Sequence, residues 1–573
     1  MHGSAAPLAR SEPWKRSDLL WIALVVLVLI ASGFGLRDPW PADEPRFAAI
    51  ARDMVASGDW LFPRVGGDLY QDKPPLYFWL LAGALALTGS VRWSFLLPSL
   101  AAACGTLALV YDIVRRMAGR GAALAAALLL ASTIQFVMAT RSAQIDATLC
   151  LLTTLSLYGL LRHLLFGPAW GWYALAGLAA GLGVITKGVG FLPLLALLPY
   201  AWLRRRGFEP LPRLAGGARW LLAPAGFLVG VGVWLVPMLI VSSTSGDPAL
   251  EAYRDEILFQ QTVERYASAW HHVRPWYYFL LEVIPPLWLP LSPLFIWLVP
   301  RWRDAFRKRD ARVWLPLAWM LLVLLFFSLS TGKRGIYILP ALPAAVIAAA
   351  PFLPGLFGRR SVARVSLVLA AVLIVVAGVF TLAALAGAEQ VTRAQMRIGL
   401  ESIAPIAVFA ILGLVAWLVA WRVKPILAWP AVLACLATVW AFGITPQIDA
   451  ERSARAFMES VLARVPSGTE LGLVGYREQF LLHLDRPVVN FGHRRWLEGQ
   501  QENYDAAHWL NAGPDRVLLV PGSSLEPCFA ASPRSAVGEA SRETWMLVQG
   551  PASEDCARRG DPGRAIRYVP PTH

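Results

Sequence analysis

The sequence predicts an α-helical polytopic membrane protein ending in a small α/β domain. Of its 573 residues, 57% are hydrophobic and only 16% charged, more apolar side chain than one soluble core buries. Apolar runs near twenty residues, long enough as helices to cross roughly 30 Å of hydrocarbon, recur as far as residue 444 and then stop.

The first run, "LLWIALVVLVLIASGFGL" (19–36), follows Arg10, Lys15 and Arg16 and has no small-residue cleavage site after it. It reads as an uncleaved anchor that leaves residues 1–18 in the cytoplasm. Later basic clusters set the orientation: Arg115/Arg116/Arg120, Arg204/Arg205/Arg206, "RWRDAFRKRDAR" (301–312), Arg359/Arg360/Arg364 and Arg422/Lys424. Keeping each on the cytoplasmic side predicts spans near 19–36, 93–114, 121–140, 143–163, 170–187, 189–203, 219–241, 276–300, 313–330, 336–356, 365–388, 402–421 and 425–444. That makes about thirteen crossings. The apolar piece "LYFWLLAGALALTG" (76–89) is short for a span, and counting it would invert every later cluster. It is expected as an embedded or interfacial helix. The chain thus divides into a membrane domain, 19–444, with outer loops 37–92 and 242–275, and an outer tail, 445–573.

The net charge of +14 is mostly this inside bias, with a part in attracting anionic lipid headgroups. No Walker motif, strand-turn-helix GxGxxG or zinc-finger spacing points to nucleotide or nucleic acid. Cys104, Cys150 and Cys435 fall in spans, whereas Cys528 and Cys556 fall in the tail, where the sequence leaves open whether they pair. In the tail, "LGLVGYREQFLLHL" reads as a strand entering a helix, and "DRVLLVPG" and "TWMLVQG" read as strands. It carries no nucleophile or metal constellation, so its expected role is support, lid or acceptor contact. No internal repeat is visible.

Ionisable residues at membrane depth are costly and mark function by default, and here they gather at the outer ends of the spans. Asp43 and Glu44 follow the first span, with Arg46 beside them. Tyr70, Lys73 and Tyr77 lie in "LYQDKPPLYFW", and Asp146 in "RSAQIDATL". Lys187 ends a span, Arg265 and Tyr266 open "RYASAWHHVRPWYYFL", and Lys333, Arg334 and Tyr337 lie in "KRGIYILP". Plainer readings stand beside these. "PADEPRFAAIARDM" spaces Phe47, Ile50, Ala51 and Met54 for an interfacial helix, whose acids would then only favour its positive N-terminus. Asp146 fits an ion pair with Arg141, Lys73 a snorkelling lysine, and His271 and His272 an interface rather than a metal. Adjacent helical residues point about 100° apart, so Glu44 is expected to turn away from Asp43, toward a donor hydroxyl or an arginine such as Arg46.

Acids and cations together at an outer membrane surface suit glycosyl transfer from a lipid-linked donor. A carboxylate activates the acceptor hydroxyl, and fixed cations receive the phosphate leaving group. The ordered motifs "DEPRFAAIARDMVASGDWLFPRVGGDLYQDKPPLYFWL", "RSAQIDATL", "TKGVGFLPL", "RYASAWHHVRPWYYFL" and "KRGIYILPALP" resemble the bacterial aminoarabinose transferase family, relatives of protein O-mannosyltransferases in the GT-C superfamily. The resemblance covers about residues 19–350; later spans and tail match in layout only. It implies a GT-C fold in the inner membrane with its site facing the periplasm. The implied partners are an undecaprenyl-phosphate-linked sugar donor and an acceptor in lipid A or another envelope glycan or protein, with inversion at the anomeric carbon. Asp43 and Asp146, with Glu44, become catalytic candidates. Lys73, Arg265 and Tyr337 become candidate phosphate contacts, and Arg46, Tyr70, Tyr77, Lys187, Tyr266, Lys333 and Arg334 further substrate contacts. "TGKRG" departs from the family's more usual run around Lys333. No cofactor is implied; His271 with a nearby acid leaves a divalent metal open. The rival readings are a transporter or flippase for a lipid-linked substrate, and an O-antigen ligase or polymerase.

Overall fold

A computed structural model of the chain describes residues 13–258, 273–493 and 498–571. Helices dominate as far as residue 464, and strands then alternate with short helices. Among the described residues, seven helices are long and apolar enough to cross a membrane, or nine if two bent pairs each count as one span. The bent pairs are Arg120–Ala131 with Ile134–Thr140, at 66°, and Phe279–Leu287 with Leu291–Arg307, at 112°. About thirteen spans were expected, and the difference lies in short or interrupted helices. The first, α1 (Arg16–Leu29), has 14 residues and unwinds before Leu36, where Gly33 and Gly35 adopt positive φ. The stretch 336–356 is likewise broken into short turns around Ala341–Ala349.

Beyond α1 the chain forms α2 (Glu44–Ser57), with Pro45 in its first turn, where a missing N–H costs nothing. Phe47, Ile50, Ala51 and Met54 are all nearly fully buried, as their spacing predicted. Burial of Phe47, Ile50 and Met54 contributes roughly 1.5–3 kcal/mol each. Gly58 ends α2 in the left-handed conformation, at φ 72°. Asp59 then accepts hydrogen bonds from the amides of Leu61 and Phe62, at 3.1 and 3.2 Å, and so builds the turn of the "GDW" motif. A two-residue hairpin follows, β1 (Arg64–Val65) against β2 (Asp68–Leu69). Gly66 and Gly67 form its turn at φ 61° and 90°, the region a tight hairpin requires at both positions. The short apolar piece becomes α3 (Leu76–Thr88), whose 13 residues are too few to cross.

The tail builds a six-stranded mixed sheet from β3 (Glu470–Leu473), β4 (Val488–Asn490), β5 (Arg516–Pro521), β6 (Arg534–Ala540), β7 (Glu543–Gln549) and β8 (Ile566–Tyr568). Its order is β6-β7-β5-β3-β4-β8. β3 pairs in parallel with both β4 and β5, so the strand order reverses at β3. The carboxyl end of β4 and the residues after it meet the β1–β2 hairpin. The Asn490 amide donates to the Gly66 carbonyl at 2.9 Å, and the His493 amide to the Asp68 carboxylate at 3.0 Å.

Cys528 and Cys556 form a disulfide with Cα atoms 5.5 Å apart, closing a 28-residue separation around one hydrophobic cluster of the sheet. Loop closure of this length contributes about 3.6 kcal/mol. Replacing both cysteines by serine is therefore expected to make the tail open to protease at markedly lower denaturant, with the helical region unaffected; equal protease resistance would remove the bridge from the domain's stability.

Candidate functional site

The site begins where α1 ends. Arg141 donates to the Leu29 carbonyl at 3.0 Å and to the Ser32 hydroxyl and carbonyl at 2.7 and 3.1 Å, satisfying acceptors that the helix terminus leaves unpaired. It is therefore not the partner of Asp146. The Arg141 carbonyl in turn accepts from Arg37 at 3.3 Å.

Glu44 turns away from Asp43, but toward Arg37 rather than Arg46 or a substrate hydroxyl. Arg37 donates to Glu44 Oε1 at 2.7 Å, and the same carboxylate accepts the amides of Trp40 and Ala143 at 2.8 and 2.9 Å. Only 6% exposed and fully engaged, Glu44 is a bracket that closes the loop 37–44 onto the turn before residue 145. This corrects its place among the catalytic candidates. Asp38 and Trp40 are fixed in the same way from the other side: the Asp38 amide and the Trp40 indole both donate to Asp449 Oδ1 at 2.9 Å.

What remains at the lip is Asp43. At the N-cap of α2, its side chain makes no capping hydrogen bond to the helix. It is 28% exposed between two guanidinium groups, Arg334 at 3.7 Å and Arg46 at 3.9 Å. Asp43 borders a cavity of about 910 Å³ whose polar wall includes Arg37, Arg141, Arg334 and Arg452. Its floor is apolar, with Leu287, Leu373, Leu433, Leu436 and Trp440.

A second group forms nearby. Lys187 pairs with Asp146, and its ammonium lies 4.5 Å from the centre of the Tyr337 ring. Tyr77 is fully buried within electrostatic reach of Asp43, Glu44 and Asp146, linking the two groups. Tyr77 and Tyr70 were expected as substrate contacts, yet both rings are covered. Tyr77 packs on Phe47 at 5.5 Å, and Tyr70 on Phe78 at 5.7 Å. Their bulk is used to join α2 and α3. Lys333 is also covered, 4% exposed, and donates to the carbonyls of Arg274 and Ser330. It holds the loop that presents Arg334. Lys73 donates to the Asp72 carbonyl at 3.0 Å and is half-buried. Arg265 and Tyr266, like His271 and His272, lie outside the described residues. Among the described residues, no three His, Cys, Asp or Glu side chains gather to hold a metal ion.

The tail supplies residues that the sequence did not single out. Arg46 donates through Nε to Glu478 at 2.7 Å, and His493 Nε2 lies 3.0 Å from the same oxygen. Glu478 follows β3 and His493 follows β4. Against the upward push of its burial, the bond to His493 and the charge of Arg46 hold the Glu478 carboxyl down, to about 2. The only signal in the sequence was the acid directly after "GYR".

The helical architecture is a known one. The structure matches ArnT from Cupriavidus metallidurans bound to undecaprenyl phosphate with a TM-score of 0.73 and 21% identity, over 93% of this chain and 99% of that one. The apo state of the same protein matches at 0.70. This is a polytopic membrane protein with the ArnT fold. Since 93% of the chain is matched, the likeness runs beyond residue 350 into the later helices and the sheet.

In sequence, residues 72–233 match the family model of dolichyl-phosphate-mannose-protein mannosyltransferases. The chain is similar to the undecaprenyl phosphate-α-4-amino-4-deoxy-L-arabinose arabinosyl transferases of Pseudomonas aeruginosa strain UCBPP-PA14, at 33% identity over 352 residues, and of Pectobacterium carotovorum, at 30% over 351. The resemblance drawn from the motifs is thereby found. Each match spans 59% of the relative's length.

Two outcomes follow from the geometry. Arg37→Ala leaves the Glu44 carboxylate buried without its cation, and loss of one partner of such a pair costs about 3–5 kcal/mol. The thermal midpoint in detergent is expected to fall sharply; an unchanged midpoint would contradict the bracket. Glu478 titrates below its ordinary value, so its stabilisation is present above about pH 4.5 and is lost as pH falls toward 2. Glu478→Gln is therefore expected to loosen the tail at pH 7, measured by protease accessibility of 470–568, and to differ progressively less from wild type on acidification.

Proposed function

We propose that this protein is a membrane glycosyltransferase that moves a sugar from an undecaprenyl-phosphate-linked donor to an acceptor at the outer face of the bacterial inner membrane. The acceptor is lipid A or another envelope glycan or protein. One observation carries the reading: Asp43 is a half-exposed carboxylate without a helix-capping bond, at the junction of a cation-lined lip and an apolar cavity floor. A lipid-linked donor needs that combination, with hydrocarbon below and phosphate chemistry at the boundary. The printed names of the relatives describe the same donor class.

In the proposed reaction the Asp43 carboxylate takes the proton of the acceptor hydroxyl. The freed oxygen forms a bond to the anomeric carbon while the bond from that carbon to the phosphate oxygen breaks, and the configuration inverts. The departing electron pair goes to the phosphate, toward Lys73, Arg265 and Tyr337. Arg334 and Arg46 flank and orient Asp43, and Arg46 is itself anchored by Glu478. Asp146 is committed to Lys187, so its role is to place that lysine and Tyr337 at the donor side.

The proposed topology has thirteen crossings. The nine candidate spans are joined by four shorter helices, Arg16–Leu29, Trp170–Lys187, 192–205 and Ala341–Phe357. Short helices surrounded by longer ones cross by local thinning and by neighbour packing. The basic clusters then lie in the cytoplasm, and Asp43, with the tail sheet 445–573, lies in the periplasm.

Asp43→Asn in purified protein is expected to keep its thermal midpoint and lose about a hundredfold or more of transfer, as removal of a general base does. Asp146→Asn is expected to lose less, about tenfold, the scale of one charge-assisted contact. Near-normal turnover by a correctly folded Asp43→Asn variant would overturn the mechanism.

A further inference from the structure

The helices that border the Asp43 cavity carry a second cavity at their opposite ends. It measures about 550 Å³ and is lined largely by apolar side chains, among them Leu124, Leu128, Leu294, Phe357 and Val362. Helix Arg360–Leu385 contributes Val362, Val365 and Ser366 to this cavity, and Leu373, farther along, to the first. The bent pair Arg120–Ala131 and Ile134–Thr140 likewise opens on the second cavity and ends on the first. Trp429 lines both and separates them. Its indole donates to the Ser132 carbonyl at 2.8 Å, and its amide to the Ser366 hydroxyl at 3.0 Å.

The second cavity is walled by the main helical core, through Leu129, Leu294, Val362 and Trp429. Its charge is one-sided. Among the described residues, Lys424 is the only ionisable one in its lining. Arg359 and Arg360 follow the lining residue Gly358, Arg364 lies between the lining residues Val362 and Val365, and Arg422 lies just before Lys424. All five side chains belong to exposed residues, and among the described residues none of them forms an ion pair. A face rich in cations is expected of any membrane protein. An apolar slot opening beneath them is a separate feature.

An apolar cavity offers water no polar partners, whereas a hydrocarbon chain fills it at no such cost. Basic pockets between membrane helices, in turn, receive anionic lipid headgroups. We propose that this cavity is a binding site for an anionic phospholipid, with one acyl chain in the slot and the phosphate against Lys424 and Arg360. The lipid fills the slot at the end of these helices remote from Asp43. This site is independent of the sugar-transfer reading.

Native mass spectrometry of the full-length protein, purified with equal amounts of phosphatidylglycerol and phosphatidylcholine, tests it. Wild type is expected to retain phosphatidylglycerol in preference. Lys424→Ala, at an exposed position that the fold does not need, is expected to lower that preference about fivefold, the scale of one basic residue facing anionic lipid. Leu427→Trp, at the half-exposed edge of the slot, is expected to abolish retention of both lipids while the thermal midpoint confirms folding. Arg205→Ala, on an exposed cation away from the cavity, is expected to change nothing. Equal retention of the two lipids by wild type, an unchanged ratio in Lys424→Ala, or an equal loss in Arg205→Ala, meaning diffuse surface attraction only, would each overturn the proposal.

Discussion

The buried pair between Arg37 and Glu44 is the contact on which the rest of the site depends. Three segments far apart in sequence meet at it: the chain leaving α1, the first turn of α2, and the turn that ends at Ala143. A buried ion pair contributes little net stability compared with an apolar replacement, but it tolerates only one arrangement, because either charge left alone is costly. That intolerance fixes where α2 starts. With the start fixed, Asp43 has one position, at the lip of the cavity and within 4 Å of Arg46 and Arg334.

Two neighbouring acids are thus divided between tasks by their environments. Glu44 receives an arginine and two backbone amides and is enclosed. Asp43 receives only flanking charge and stays half-exposed, which is the state a proton acceptor requires. The same division recurs with the cations. Lys333 spends its donors on carbonyls and holds a loop, while Arg334 beside it reaches Asp43. The tail sheet enters this arrangement through Glu478 and His493, and Glu478 holds the position of Arg46.

Much of this was legible locally. The apolar spacing of α2 and the short length of α3 follow from residues close in sequence, and they appear as read. Pairings across the fold were not legible. Arg37 and Arg46 are both within reach of Glu44 in sequence, and only the path of the loop decides between them. Lys187 meets Asp146 across 41 residues, and Glu478 meets Arg46 across 432. Tyr70 and Tyr77 stand in a motif that invites a substrate role, and periodicity alone does not reveal that their rings close the seam between α2 and α3. The lengths of the spans were not legible for a related reason: apolar content continues through bends and breaks at which the helices themselves stop.

The most direct test of the central claim is a structure of the protein with an unreactive phosphonate analogue of an undecaprenyl-phosphate sugar. The account places the phosphonate beside Lys73 and Tyr337, the anomeric carbon facing the Asp43 carboxylate, and the polyprenyl chain in contact with the hydrocarbon layer. A phosphonate bound with its anomeric carbon turned away from Asp43, out of reach of any acceptor oxygen that Asp43 contacts, would contradict it.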